Sequence, residues 1–183
     1  KDVFANYKGL RKKAREESDL DWGIIFDTLS EIREDMRTYF PYKVVHVNKC
    51  EADDVIAILT ESTQEFGKHE PVMIVSSDKD FKQLQLYPNV NQWSPMVKKF
   101  ITASKKEIKE FMIEHIVKGD AGDGIPNILS KDDVFVIGER QKPVSAKRLA
   151  EFIELGYDAC RTDDEKRNWK RNRRFNRQCR FSY

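Results

Sequence analysis

What this sequence lacks narrows it first. Only three cysteines occur, Cys50, Cys160 and Cys179, widely spaced and with no C-x-x-C pair. That excludes a disulfide scaffold and a zinc ribbon, and fits a reducing compartment. No apolar run comes near the eighteen or so residues of a membrane span, and the first twenty residues have no signal-peptide core. A soluble intracellular protein is the expectation. No segment repeats, so a solenoid is excluded. Charge of one sign is missing as well: 33 Lys and Arg against 31 Asp and Glu leave a formal net charge of +2. Bulk charge therefore names no nucleic-acid partner.

What is present is segregated. With 183 residues, 39% of them hydrophobic, the chain can bury a core, and one body with a smaller appendage is the natural division. Residues 1–15 hold six basic groups against Asp2 alone, and residues 166–183 hold eight against none. Both ends are basic and the acids lie between. Lys1 opens in mid-pattern without an initiator Met, so a longer reading frame is expected.

Periodicity supplies the elements. Trp22, Ile25, Phe26, Leu29, Ile32, Met36 and Phe40 recur at helical spacing until Pro41. Lys43–Val47 reads as a strand, Ala52–Phe66 as an amphipathic helix with Val55, Ile56, Leu59 and Phe66 inward, and Val72–Val75 as a buried strand. Strand, helix, strand predicts a parallel sheet. A short helix follows at Asp80–Leu86, then strands at Val90–Trp93 and Lys99–Thr102. Ser104 with Glu107 forms a capping box for a helix over Lys105–Lys118 that Gly119 closes. A Gly-containing loop comes next, Asp132–Lys142 has no assignment, and helices are predicted over Val144–Leu155 and from a second capping box, Thr162 with Glu165, to about Arg174. The proposed boundary is Gly119, giving an α/β body over 1–119 and a helical part over 120–183.

Acids gather at three places: Glu51, Asp53 and Asp54 at a strand-to-helix junction, Asp78 and Asp80 just after Val72–Ser77, and Asp120 and Asp123 in the loop. In a parallel sheet the C-terminal strand ends share one edge, so the first two groups should meet there. Hard oxygen ligands without Cys or His suit Mg²⁺ or Mn²⁺ rather than Zn²⁺. Two such ions activate a water and stabilise the leaving oxygen of a phosphodiester. Any one pair of these acids serves equally well as helix cap or turn residue, and Asp54 reads as an ordinary first-turn acid. The combination carries the inference. An EF-hand is excluded by the lack of the required Gly and distal Glu, and an aspartyl-phosphate phosphatase is disfavoured because Phe81 and Lys82 stand where its apolar residue and Thr belong.

The segments Cys50–Ala57, Ser76–Leu84 and Lys118–Pro126, in that order and with a basic stretch upstream, resemble the acidic motifs of the 5′ nuclease (flap endonuclease, 5′-3′ exonuclease) family, and within it the RNase H branch of T-even bacteriophages. The similarity runs from Lys1 to about Arg174. It implies a PIN-like α/β domain followed by a helix-hairpin-helix part. It places Glu51, Asp53 and Asp78 at a first metal site, Asp120 and Asp123 at a second, and Asp80 between them, several acting through water. Two Mg²⁺ ions, replaceable by Mn²⁺, are implied, with a K⁺ ion at the loop.

Tyr7, Lys8 and Arg11 match the start of an arch, a basic helix within residues 1–17, whose Lys and Arg are expected to hold the scissile phosphate. Lys12, Lys13 and Arg15 are expected to attract backbone phosphates or to form a solvated basic face. Gly119, Gly122 and Gly124 suit close approach to a duplex, with Lys142, Lys147 and Arg148 near its phosphates. The resemblance further implies removal of RNA primers and flaps during phage replication, on branched or nicked DNA and RNA:DNA hybrids with a 5′ end, in the cytoplasm of an infected bacterium. A single-strand binding protein and a sliding clamp are the candidate partners, no membrane is involved, and the state is a monomer. Two departures are expected to matter. The family's first strand and two earliest acids precede the arch and so fall outside this sequence, and its last helices are absent, which makes a non-catalytic branched-DNA binding fragment one alternative. A general PIN-like ribonuclease is another, disfavoured by the loop at 118–126.

Overall fold

Val72–Val75 (β1) and Val90–Ser94 (β2) pair in parallel, and Lys99–Ile101 (β3) runs antiparallel to β2, giving the order β1-β2-β3. The computed structural model describes residues 4–65 and 69–175. Phe66, Cys179, Lys1 and the basic tail beyond Phe175 lie outside the described residues. Ahead of the sheet come Gly9–Glu16 (α1), Trp22–Tyr39 (α2) and Ala52–Gln64 (α3). Lys79–Leu86 forms a 3₁₀ helix between β1 and β2, and after β3 follow Lys105–Lys118 (α4), Ala146–Leu155 (α5) and Asp163–Phe175 (α6).

Local signals account for these boundaries. Asp21 caps α2 by accepting from the Gly23 and Ile24 N–H groups. Glu51 and Asp54 form a reciprocal capping box on α3, and Ser104 with Glu107 does the same on α4. Asp54 is thus occupied as a cap. Gly119 ends α4 at φ 66°, where a Cβ would stand 2.4 Å from the Ile125 carbonyl oxygen; only glycine fits there.

Two apolar clusters form. One joins Ala57 of α3, Ile74 of β1, Phe81, Leu84 and Val90 beneath one face of the sheet. The other joins Ile113, Ile116 and Val117 of α4 to Ile128, Phe152, Ala159, Cys160 and Trp169. Helix α4 packs on the 3₁₀ helix on one side and on α5 and α6 on the other, linking the sheet to the C-terminal helices. Helix α6 also grips the loop after α4 by its polar side chains. Asn172 donates to the Ile116 and Pro126 carbonyls, Asn168 to those of Ile128 and Ser130, and Arg171 to that of Pro126 while pairing with Asp132.

Three expectations need correction. Lys43–Val47 is not a strand: Val45 and Val47 are exposed, and no described strand takes its N–H and C=O groups, without which β-prone sequence does not form a ladder. Leu59 is exposed rather than inward, because α3 turns Ala57, Thr60 and Gln64 to the core. The sheet is mixed, since β3 returns antiparallel. In addition, α2 buries no side chain among the described residues, and Met73, Val75 and Phe100 leave the second face of the sheet exposed.

Because Asn172 is fully buried and satisfies two carbonyls, Asn172→Ala is expected to cost about 2–4 kcal/mol of stability. Urea denaturation reads this directly; a change below about 0.5 kcal/mol would mean that α6 does not hold the loop.

Candidate active site

Four stretches converge: the N-terminal segment from Phe4 to Arg11, the start of α3, the exit of β1, and the loop after α4. The N-terminal segment is bound down first. Lys8 adopts a left-handed conformation (φ 55°, ψ 20°) at the start of α1, a costly state for a residue with a Cβ. It is held by its own N–H, which donates to the Asp123 carbonyl at 2.7 Å. Gly124 (φ 74°) makes that approach possible, since a Cβ there would stand 2.9 Å from the Asn6 carbonyl oxygen. Its close contact therefore serves the protein's own chain, which corrects the expectation that it faces a duplex.

From this position the side chains reach the acids. Lys8 Nζ pairs with Glu51. Arg11 pairs with Asp123 at 2.7 Å and donates to the Gly122 carbonyl at 3.0 Å. The Tyr7 hydroxyl lies 3.0 Å from Glu51 Oε1 and 3.2 Å from Asp123 Oδ2, so its single proton serves either carboxylate. The Tyr7 ring stacks on Phe175 at 5.3 Å and 17°, which ties the end of α6 to the site.

Glu51, Asp53, Asp80, Asp120 and Asp123 line one cleft, together with Tyr7, Gln83 and His115. Asp78 does not line the cleft; its Oδ1 accepts from the Asp80 N–H at 2.9 Å. Crowding shows in the ionisation. Burial, then the charges of Asp78, Glu51 and Asp54, push Asp53 up, and burial raises Asp80 against the pull of His115. Burial also works against the Glu51 carboxylate, but hydrogen bonds from Lys8 and Tyr7 outweigh it and hold Glu51 below its usual range. Burial and the hydrogen bond to Glu51 raise Tyr7, so it stays a neutral donor.

His115, in the last turn of α4, approaches Asp120 at 3.6 Å. The neighbouring imidazole holds Asp120 down at about 2, and the same contact raises His115 against the effect of burial. His115 stands five residues before Asp120 with no spacing signal, and sequence reasoning passed over it. So too for Phe175, whose stack on Tyr7 spans almost the whole chain.

The donor set is carboxylate oxygen with one imidazole and no thiolate, which suits a hard divalent cation. Asp80 Oδ1 is buried without a hydrogen-bond partner among the described residues, as a ligand oxygen would be. Among the described residues no three His, Cys, Asp or Glu side chains are gathered tightly enough to hold a metal by themselves, and Glu51 and Asp123 are already paired with Lys8 and Arg11.

The expected DNA contacts divide. Lys12 and Lys13 are exposed on α1 and paired only loosely with Glu16 and Glu17, at 3.5 and 3.7 Å, Arg15 is partly exposed, and Lys142, Lys147 and Gly122 are exposed. Arg148 is not available: it is 9% exposed, pairs with Glu151 and Glu165 at 2.8 and 2.7 Å, and stacks its guanidinium 4.4 Å above the Phe152 ring. It braces α5 against α6 instead of facing solvent.

The Asp120–His115 pair has a defined pH signature. Asp120, depressed from 3.8, adds stability that is present above that value and lost as pH falls towards about 2; His115, raised from 6.5, adds stability that is full below 6.5 and lost as pH rises through its folded value. The stability lost in His115→Asn is therefore expected to be greatest between about pH 4 and 6.5. Denaturation curves at several pH values test this, and a pH-independent difference would contradict the pairing.

Residues 1–114 match the family described as 5′-3′ exonuclease, N-terminal resolvase-like domain. The chain is 35% identical to Ribonuclease H of Enterobacteria phage T4 over 178 residues, covering 94% of this chain and 57% of that protein. It is 34% identical to Flap endonuclease Xni of Shewanella woodyi over 86 residues, covering 44% of this chain and 33% of that protein. It thus spans little more than half, and a third, of these relatives. Among solved structures, the phage T5 5′-exonuclease with bound zinc superposes with a TM-score of 0.70 at 18% identity, covering 97% of this chain and 69% of that one. A phage T5 flap endonuclease complex with DNA and metal ions gives 0.66 at 18% identity, covering 93% and 66%. These likenesses show a shared fold. With a family match over most of its length, the chain belongs to the 5′-3′ exonuclease family, whose N-terminal resolvase-like domain it carries.

Proposed function

We propose that the protein to which this chain belongs is a divalent-metal-dependent 5′-3′ exonuclease and flap endonuclease that removes RNA primers and flaps during phage DNA replication. The observation that carries the reading is the meeting of five carboxylates from three separated segments in one cleft, with Lys8 and Arg11 at the same place. Substrates are branched or nicked DNA and RNA:DNA hybrids with a 5′ end, in the cytoplasm of the infected host. The 35% identity to a phage Ribonuclease H supports this choice within the family.

In this reading Glu51, Asp53 and Asp78 serve a first Mg²⁺ site, Asp120 and Asp123 a second, and Asp80 lies between them, with water completing what the carboxylates do not reach. When bound, the ions supply an activated water and charge neutralisation at the scissile phosphate. The chain's own groups do the rest. Lys8 and Arg11, already fixed by backbone contacts, present positive charge where charge develops on the phosphate oxygens. Tyr7 keeps Glu51 and Asp123 at a set separation. Lys12, Lys13, Arg15, Lys142 and Lys147 add electrostatic attraction for the strand. Residues 1–119 form the catalytic body and 120–183 the helix-hairpin-helix part, with α4 joining them. A K⁺ ion at the loop after α4, a monomeric state, and contacts with a single-strand binding protein and a sliding clamp belong to the same reading.

With a 5′-flap substrate and Mg²⁺, Asp53→Asn and Asp78→Asn are expected to lower kcat about a hundredfold or more while binding stays within a few fold. Unchanged turnover would remove the carboxylates from the mechanism, and binding without any cleavage by the unaltered protein would favour a branched-DNA binding module. Lys8→Ala should lower kcat far more than it raises KM. Equal loss in both would reduce Lys8 to part of the electrostatic surface.

A further inference from the structure

Beside the acidic cleft lies a second, more open trough of about 440 Å³. Phe111, Glu114, His115 and Lys118 of α4 line it, with Lys79 and the backbone from Gly119 to Gly122. It is continuous with the acidic cleft, because His115, Gly119 and Asp120 line both. Its size falls in the range of small-molecule sites, about 300–1,000 Å³. One wall is aromatic: the Phe111 and His115 rings lie 5.7 Å apart at 31°, and Phe111 is only partly buried at the surface of α4. The charged groups are mixed: Lys79 and Lys118 line the trough beside Glu114 and Asp120. Lys82 stands 5.9 Å above the Phe111 ring, Lys118 pairs with Glu114, and Lys79 is exposed with no ion pair among the described residues. A stacking wall, an exposed cation without an ion pair among the described residues and an opening onto the acidic cleft match the two ends of a nucleotide.

Resting on the nuclease reading above, the geometry points to a nucleotide subsite in this trough: the base next to the scissile phosphate stacks on Phe111, and Lys79 takes the adjoining phosphate. Ring faces accept every base, so the subsite positions without reading sequence. His115, already committed to Asp120, forms the shared wall and fixes the distance between the stacked base and the carboxylates. The subsite gives a use to an aromatic ring that is only partly buried on a helix whose remaining apolar residues, Ile108, Met112, Ile113, Ile116 and Val117, are buried.

The test uses a 5′-flap DNA carrying 2-aminopurine at the nucleotide on either side of the scissile phosphate. Fluorescence is measured with Ca²⁺ replacing Mg²⁺ and the strand checked for intactness on a gel, and steady-state cleavage is measured in Mg²⁺. The unaltered chain should quench the probe at one of the two positions. Phe111→Ala should remove the quench and raise KM about fivefold or more with kcat little changed, while Phe111→Tyr retains both. Lys79→Ala should raise KM and flatten its salt dependence. If Phe111→Ala fails to fold, Phe111→Leu keeps the packing and removes the stacking ring. Unchanged quench and KM in the folded Phe111 variant overturn the subsite while the nuclease reading stands; absence of metal-dependent cleavage by the unaltered protein overturns both.

Discussion

Carboxylates forced close together in a partly buried cleft repel, and a fold that gathers them must supply cations or hydrogen-bond donors. Here the first donors are the chain's own. Tyr7, Lys8 and Arg11 cross from the N-terminal segment to Glu51 at the start of α3 and to Asp123 in the loop after α4. This one set of contacts ties together parts of the sequence that share no strand pairing. On the proposed nuclease reading, the same side chains are those whose charge a phosphodiester would meet. Structure and chemistry thus depend on the same ion pairs, and any divalent cation entering the cleft shares Glu51 and Asp123 with Lys8 and Arg11.

The rest of the molecule fixes both sides of that bridge. On one side, β1 delivers Asp78 and Asp80 at its C-terminal exit, and the Gln92 side chain of β2 donates to the Asp78 carbonyl at 2.6 Å, holding the turn. On the other, Gly119 lets the loop fold back on α4, and Asn168, Arg171 and Asn172 hold its carbonyls. Phe175, at the end of the same helix, stacks on Tyr7. Helix α6 therefore positions the loop acids and the N-terminal segment at once, by polar contacts that are costly to break because they are buried.

Signals carried within a few residues were legible. The capping box of α4, the glycine that ends it and the grouping of acids after β1 all follow from local rules, whereas the shared edge was expected from a pairing of Lys43–Val47 with β1, and the parallel partner of β1 is β2. What failed depended on partners distant in sequence. Lys43–Val47 has strand composition but no neighbour to pair with among the described residues. Leu59 fits an inward face by period, yet the face is set by where β1 and the 3₁₀ helix lie. Arg148 looked like a surface base because Glu165, seventeen residues on, is invisible to a helical pattern. His115 gave no signal because its partner, Asp120, lies beyond the end of its own helix. The roles of the acids came from family likeness, and their convergence from the structure.

The central claim is that these carboxylates form a hard-cation site. Titration of Mn²⁺ into the protein, with free ion followed by electron paramagnetic resonance, tests it without reference to turnover. The account predicts saturable binding that weakens roughly tenfold or more when Asp80 and Asp120 are both changed to Asn. Binding that is absent, or that is indifferent to the two substitutions, would contradict it.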